Sequence, residues 1–421
     1  MIQTIDLRGT RPTPAELLAA VPRALTDVTA ASDVAAALID DVRARGEDAL
    51  LDQAERLDRV RPSHVRVPAS HVTEALAGLD PAVRTAIEET IRRVRIASAA
   101  QVPPQVSTTI ADGATIIQRW QPINRVGLYV PGGKAVYPSS VVMNVVPAQI
   151  AGVASIALAS PPQSDFDGRV HPTILAVAGL LGIDEIYAMG GAGAVGAFAY
   201  GVPGLSLDPV QLVTGPGNVY VAAAKRLVRG VTGIDSEAGP TDILVIADAA
   251  ADPLLVAADL VSQAEHDELA AAMLVTDSVE LADAVALHLV DLMQSTTHSI
   301  RVTASLNGRQ SGIVLVDDLD AAAAFSNAFG PEHLEIQTSD PDAVLALIEN
   351  AGAIFLGPHS PVSLGDYVAG SNHVLPTGGQ ARFSSGLGAY TFLRPQQVVT
   401  YSREALPAHG DAVTARFAPG L

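Results

Sequence analysis

The chain has 421 residues, 48% of them hydrophobic and 17% charged, with a formal net charge of −19. That balance supplies enough apolar mass for two or three domains and argues against nucleic acid or an anionic membrane surface as a partner. Cysteine is absent, so disulfides and thiolate metal sites are excluded, and any metal must be held by nitrogen and oxygen.

The opening stretch MIQTIDLRGT holds no apolar signal core, and no apolar run approaches membrane-spanning length. A soluble, cytoplasmic protein is expected. Thr13, Pro14 and Glu16 read as a capping box with proline at the first helical position. Residues 33–57 predict two amphipathic helices broken near Gly46, and Asp80-Pro81 opens a longer helix to about Ala100. These early segments carry no evident chemistry and read as scaffold and oligomer contacts.

From Thr115 the pattern changes to strand–helix alternation. Strands are predicted over ATIIQRW, RVGLYVPGG, 155–160, 185–190 and 210–215, with helices over 139–153, 171–182, from Ala192, and 218–228. A second series follows: strands 242–248, 271–276, 311–318, 333–337 and 351–357, interleaved with helices 253–267, 279–293, 321–330 and 340–350. Such alternation implies right-handed crossovers and two parallel sheets. The last sixty or so residues, rich in glycine and serine, read as site loops and a tail.

Ligands of open parallel sheets usually sit at the carboxyl ends of the strands. Gly191-x-Gly193-x-x-Gly196 follows a strand and opens a helix, as a dinucleotide phosphate turn does; the acid expected about twenty residues later is met only loosely, by Asp208, and a tight packing turn fits as well. TGPGN (214–218) leads into a helix whose free amides could hold an anion. GPTD (239–242) precedes a strand and fits a plain turn equally. Gln263 and His266 lie three apart near a helix end, so their side chains project together as half a metal site or as locally bonded residues. Asp366 and His409 could complete a four-ligand N/O set suited to zinc. Glu332-His333 places an acid beside an imidazole where a helix gives way to a strand, a pairing suited to proton transfer near neutral pH, although a surface Glu-His pair at a turn would look the same.

Taken together, RVGLYVPGGKAVYPSSVVMNVVPAQIAGV, TGPGNVYVAAAKRL, EAGPTDILVIAD, DLVSQAEHDE, GPEHLEI and SLGDYVAGSNHVLPTGGQARFSSGL resemble the histidinol dehydrogenase family along nearly the whole chain. The resemblance implies two incomplete Rossmann-like domains similar to those of aldehyde dehydrogenases, with a helical N-terminal segment and a small C-terminal tail. The expected division is an arm (1–28), a first α/β domain (29–125 and 239–380), a second, NAD-side domain (126–238) and a dimer arm (381–421). It implies a homodimer with shared sites that uses Zn2+, one per subunit, and NAD to oxidise L-histidinol through bound L-histidinaldehyde to L-histidine.

Carried onto this sequence, the zinc ligands fall on Gln263, His266, Asp366 and His409, and the proton-transfer pair on Glu332 and His333. Substrate contacts fall on Thr241, Gln263, His266, His333, Asp366, His373, Glu404 and His409; NAD contacts fall on Tyr129, Asn218 and the position of Gly193. In the family the tail completes the partner's site. Three departures stand out: Gly193 replaces a usual glutamine, Thr241 a common serine, and the connection from Tyr401 to His409 is short. Oxidation of another amino alcohol, or zinc binding without catalysis, are the alternative readings.

Overall fold

A computed structural model describes residues 2–23, 28–132, 136–237 and 239–406. His409 therefore lies outside the described residues. Three sheets organise the described residues. The largest is a six-stranded parallel sheet made of Thr4–Asp6, Gly312–Leu315, Ala271–Thr276, Asp242–Ala247, His333–Gln337 and Ala353–Leu356, in that spatial order. A five-stranded parallel sheet runs Ile186–Ala188, Ser155–Ser160, Arg125–Tyr129, Leu212–Thr214 and Gly233–Ile234. The inner strands of both sheets are buried on both faces, which is why they read as continuous apolar runs without alternation.

The local signals act as chemistry requires. Thr13 and Glu16 form the reciprocal capping box of helix Pro14–Ala20. Gly46, at φ 61°, separates helix Val28–Arg45 from helix Glu47–Gln53, and Asp80 caps Pro81–Ala100. Asp252 caps helix Pro253–Ala264 with proline in its first turn.

Two expectations are corrected. Helix Pro81–Ala100 touches the 239–380 unit where Arg93 donates to Val368 O at 3.0 Å, but the helices between Val28 and Ala100 pack chiefly elsewhere. They pack on the helices of the five-stranded sheet: Val28–Arg45 against Gly191–Tyr200 and Val219–Val228, Ala69–Gly78 against Pro172–Leu180, and Pro81–Ala100 against Pro138–Ala151. Their apolar stripes had no assignable partner in sequence. The arm, in turn, supplies the edge strand Thr4–Asp6 to the larger sheet.

The tail is not loop alone. Strand Leu393–Tyr401 pairs antiparallel with Ala114–Pro122, which pairs with Val106–Ala111, giving a three-stranded hairpin sheet. Its base is tied to the domain where Ile123 N–H donates to Phe392 O, and its tip is the turn at Gly113. Among the described residues, no helix is long and apolar enough to cross a membrane.

Candidate active site

The site forms at the amino-terminal edge of the six-stranded sheet, not at the carboxyl edge expected for an open parallel sheet. Asp242 and His333 open two adjacent strands, with His333 in register with Ile243. Thr241 and Glu332, the residues just before them, therefore stand side by side. Thr241 Oγ1 donates to Glu332 Oε2 at 2.5 Å, and the Asp242 amide donates to the same oxygen at 3.1 Å. In return the Glu332 amide donates to Asp242 Oδ1 at 2.6 Å. Glu332 is buried, and burial pushes its carboxyl above the usual range, with the neighbouring His333 opposing that shift. A carboxylate with raised proton affinity is a stronger base, and its position is held by fixed donors.

The His333 imidazole lies in contact distance of the carbonyl of Asp242, Nδ1 to O at 3.0 Å. A carbonyl only accepts, so Nδ1 carries the hydrogen and Nε2 is left with the lone pair. Its carboxylate neighbour, Glu332 Oε2, is 3.7 Å from Nδ1.

The helix Pro253–Ala264 brings in the next residues. Gln263 is buried, and its amide Nε2 donates to Thr241 Oγ1 at 2.6 Å, which leaves its Oε1 as the available ligand atom. Thr241 thus accepts from Gln263 and donates to Glu332, joining the expected metal ligands to the expected proton pair through one hydroxyl. His266 sits just past the helix end, its Nδ1 3.1 Å from Ser262 O, so by the same reasoning its Nε2 is the free nitrogen. Asp366 arrives on the short helix Val362–Tyr367.

His373 comes from the following loop. It is bonded through Nε2 to Ser139 Oγ at 3.2 Å, while Asn372 donates to Met143 O at 2.7 Å, so this loop joins the larger sheet's domain to helix Pro138–Ala151 of the smaller one. Burial lowers the proton affinity of His373, Asp366 acts the other way, and His333 and His266 are close enough to contribute. The structure therefore brings together Thr241, Gln263, His266, Glu332, His333, Asp366 and His373.

Glu404 is not among them. It stands exposed beside the tip of the hairpin sheet, next to Ala405, whose amide donates to Ser402 Oγ. The strand Leu393–Tyr401 carries that tip about 27 Å from the sheet's base. Among the described residues no three His, Asp or Glu side chains form a metal cage. Of the expected ligands only His266 and Asp366 are of those types within the described part.

At the smaller domain, Tyr129 ends strand Arg125–Tyr129, buried, with its hydroxyl accepting from the Gly191 amide at 3.2 Å; burial pushes the phenol up to about 12. The TGPGN turn needs its glycine: Gly215 has φ 115°, and a Cβ there would fall 1.9 Å from Tyr129 O. Buried Lys225 and Asp235, 2.6 Å apart, hold both polar groups of Gly215, the carbonyl by Lys225 Nζ at 2.5 Å and the amide by Asp235 at 2.8 Å. The helix beyond is not an open anion site. Asn218 caps it, its Oδ1 taking the amides of Tyr220 and Val221, so the side-chain NH2 is what remains to meet a ligand.

The glycine motif at 191–196 is chiefly a packing device. A Cβ on Gly193 would meet Gln53 Oε1 at 2.2 Å, and one on Gly196 would press on the backbone of Ile39. Gln53 thus fills the space that a larger residue at 193 would take, and only the first-turn amide of Gly193 remains for a ligand. Asp208 does not serve as the distant acid, because its carbonyl binds Arg125 at the amino end of the sheet, opposite the glycine turn.

Two site residues escaped the sequence reading. Asp242 holds Glu332 and His333 as described. Arg23 of the arm donates to Asp242 Oδ2 at 2.7 Å and also to Phe329 O, with its guanidinium 3.5 Å over the Phe329 ring. No local signal marks a lone arginine in an arm as the partner of a residue 219 positions away.

A sequence profile of the family described as histidinol dehydrogenase matches residues 21–418. A histidinol dehydrogenase from Leifsonia xyli is 66% identical over 432 residues, covering 99% of each chain. Among solved structures, histidinol dehydrogenase from Elizabethkingia anophelis superposes with a TM-score of 0.92 at 30% identity, covering 99% of this chain and 94% of the other. An acetylating aldehyde dehydrogenase from Geobacillus thermoglucosidasius, 12% identical with a TM-score of 0.51 over 93% and 97% of the two chains, shares the fold alone. The chain, an α/β oxidoreductase by these matches, belongs to the histidinol dehydrogenase family.

Proposed function

We propose that the protein oxidises L-histidinol through L-histidinaldehyde to L-histidine with NAD and zinc, in a homodimer whose sites are shared. The observation that carries the reading is the hydrogen-bonded line Gln263–Thr241–Glu332 beside an imidazole with a free Nε2. The donor set fits a borderline cation: a buried amide oxygen, an imidazole nitrogen whose other nitrogen is engaged, and a carboxylate. When bound, zinc would supply a fixed charge that orients the substrate's amine and imidazole nitrogens, and NAD would accept one hydride in each of two steps.

The chain's own groups then handle protons and water. His333 Nε2 takes the hydroxyl proton as the carbon gives up its first hydride. Glu332, buried and raised in proton affinity, takes a proton from water as the water oxygen adds to the aldehyde. His333 assists again as the hydrate loses its second hydride, so one substrate and one water give one carboxylate, two hydrides and three protons. His373, held by Ser139 across the domain junction, and Asp366 would orient the substrate. On the cofactor side Tyr129, the Asn218 amide and the first-turn amide of Gly193 are the candidate contacts.

Dimerisation is supported by the hairpin sheet. Val106, Ile110 and Val399 are each half exposed or more on it, and Glu404 stands at its tip, away from its own chain's site. A soluble cytoplasmic location accords with this chemistry. The deciding experiment is NADH formed per L-histidinol consumed by zinc-loaded protein. Two NADH support the reading; one means the aldehyde escapes; none, with zinc bound, favours a different alcohol as substrate.

A further inference from the structure

Glu332 can serve as a base only if its carboxyl stays where water adds, and one buried residue, Asp242, ties it down twice. Asp242 opens the neighbouring strand, and its amide donates to Glu332 Oε2 at 3.1 Å. Its Oδ1 accepts the Glu332 amide at 2.6 Å, so backbone and carboxyl of Glu332 are both held by one residue. His333 is held differently. Its Nδ1 donates to the Asp242 backbone carbonyl at 3.0 Å, a bond that no change of side chain at 242 removes. The other carboxylate oxygen, Oδ2, goes to Arg23 Nη1 at 2.7 Å.

Arg23 follows helix Pro14–Ala20, which packs on helix Leu319–Phe329. Its Nη2 donates to Phe329 O, with Gly330 O at 3.3 Å, and the guanidinium lies 3.5 Å over the Phe329 ring. These carbonyls end the helix, where a cation is favoured, and they directly precede Pro331-Glu332. The loop at Gly379 closes over the group, since a Cβ there would fall 3.3 Å from Nε and Nη2. The side chains of Arg23 and Asp242 are accordingly 18% and 3% exposed. A buried ion pair adds little net stability over apolar residues of the same volume. What it supplies is direction: the fork of Arg23 sets the Asp242 carboxylate against the turn that leads into Glu332.

We propose that Arg23 and Asp242 are positioning residues for the second oxidation, the arginine fixing the carboxylate that in turn fixes Glu332 where it receives the proton of water. The inference rests on the zinc and histidinol reading given above. It differs from mere anchoring of the arm in naming the half of the reaction that suffers: the step that needs Glu332, not the one that needs His333 alone.

First-phase NADH from L-histidinol, NADH from supplied L-histidinaldehyde, zinc affinity and thermal midpoint are to be measured on the full chain and four variants. Asp242→Asn cannot offer its one oxygen to both the Glu332 amide and Arg23, and Arg23→Met leaves the Asp242 carboxylate unheld. Each should slow aldehyde oxidation about 10- to 100-fold, as a small misplacement of a reacting group does. The first NADH should stay within about threefold, because the His333 bond is to backbone, and zinc affinity should hold, because Gln263 and Asp366 lie on other helices. The two losses should not multiply. In Arg23→Met/Asp242→Asn the new amide is free to turn its oxygen to Glu332, so aldehyde oxidation should be no slower than in the worse single variant. Arg23→Lys keeps the charge and loses the fork; it guards against neutral variants that fail to fold, and should lose the aldehyde step alone, by about three- to tenfold. Aldehyde oxidation unchanged in the folded variants, losses that multiply in the double variant, or both NADH readings and zinc affinity falling together would overturn the proposal alone. An unaltered chain that binds no zinc, or that oxidises neither compound, would overturn the site reading and this inference with it.

Discussion

Thr241 is the residue on which the site turns, because its hydroxyl accepts from Gln263 and donates to Glu332 in one stroke. Serine keeps that hydroxyl, whereas valine keeps the shape and loses it. Thr241→Val leaves a buried amide and a buried carboxylate each one bond short, about 1–3 kcal/mol per group. We expect Thr241→Val to lower kcat/KM at least tenfold and Thr241→Ser to stay within a few-fold, read by steady-state kinetics with zinc content checked. His333→Ala removes the imidazole whose Nδ1 is engaged by Asp242 O and whose Nε2 is thereby freed; turnover should fall about 10²- to 10⁴-fold with bound zinc unchanged. Normal turnover in that variant would remove His333 from the mechanism. Much of this was legible in the sequence, since Glu332-His333 and Gln263-x-x-His266 are local patterns. Asp242 and Arg23 were not. Their roles come from strand register and from an arm folding back across the sheet, and neither is encoded in spacing.

At the scale of elements, the strand His333–Gln337 and the helix Pro253–Ala264 were both predictable because a buried strand and a capped amphipathic helix announce themselves locally. The packing partner of helix Val28–Arg45 was not, because its stripe fits any apolar face of suitable width. The same limit explains why Gly191–Gly196 read equally as a phosphate turn and as a packing turn. Glycine permits close approach of a helix or of a ligand, and only the position of Gln53 tells which. The buried acid Glu335 gives this scale its own prediction. Its folded proton affinity lies above the unfolded value of 4.5, so between that pH and the folded midpoint the unfolded chain binds fewer protons than the folded one. Stability therefore falls as pH rises through that window, by up to about 1.4 kcal/mol per unit for one fully shifted group. Glu335→Gln removes the effect. Its thermal midpoint relative to the unaltered chain should climb steadily from about pH 5 to about pH 8, and a constant difference would mean that Glu335 titrates normally.

For the whole molecule, the separation of Glu404 from the residues gathered at the sheet edge makes a strong demand. Thr241, Glu332 and His333 stand together at the candidate site, with His266 and Asp366 close enough to act on His373, while Glu404 stands at the tip of an arm that leaves the domain. If Glu404 contributes to the chemistry, it does so in another copy of the chain, and every site needs two subunits. A mixing experiment separates this from action within one chain. His333→Ala and Glu404→Ala proteins, each inactive alone, are co-expressed so that subunits pair at random, and about half of the dimers are mixed. In a mixed dimer with shared sites, one site collects both defects and the other collects none. One of two sites in half of the dimers amounts to about a quarter of full activity, with KM unchanged because the working site is intact. Were Glu404 to act within its own chain, each subunit would carry one defect in every pairing, and mixing would restore nothing. Activity near a quarter would place the arm in the partner's site; activity at background would confine it to its own, and the exposed face of the hairpin sheet would then owe its apolar character to some contact other than catalysis.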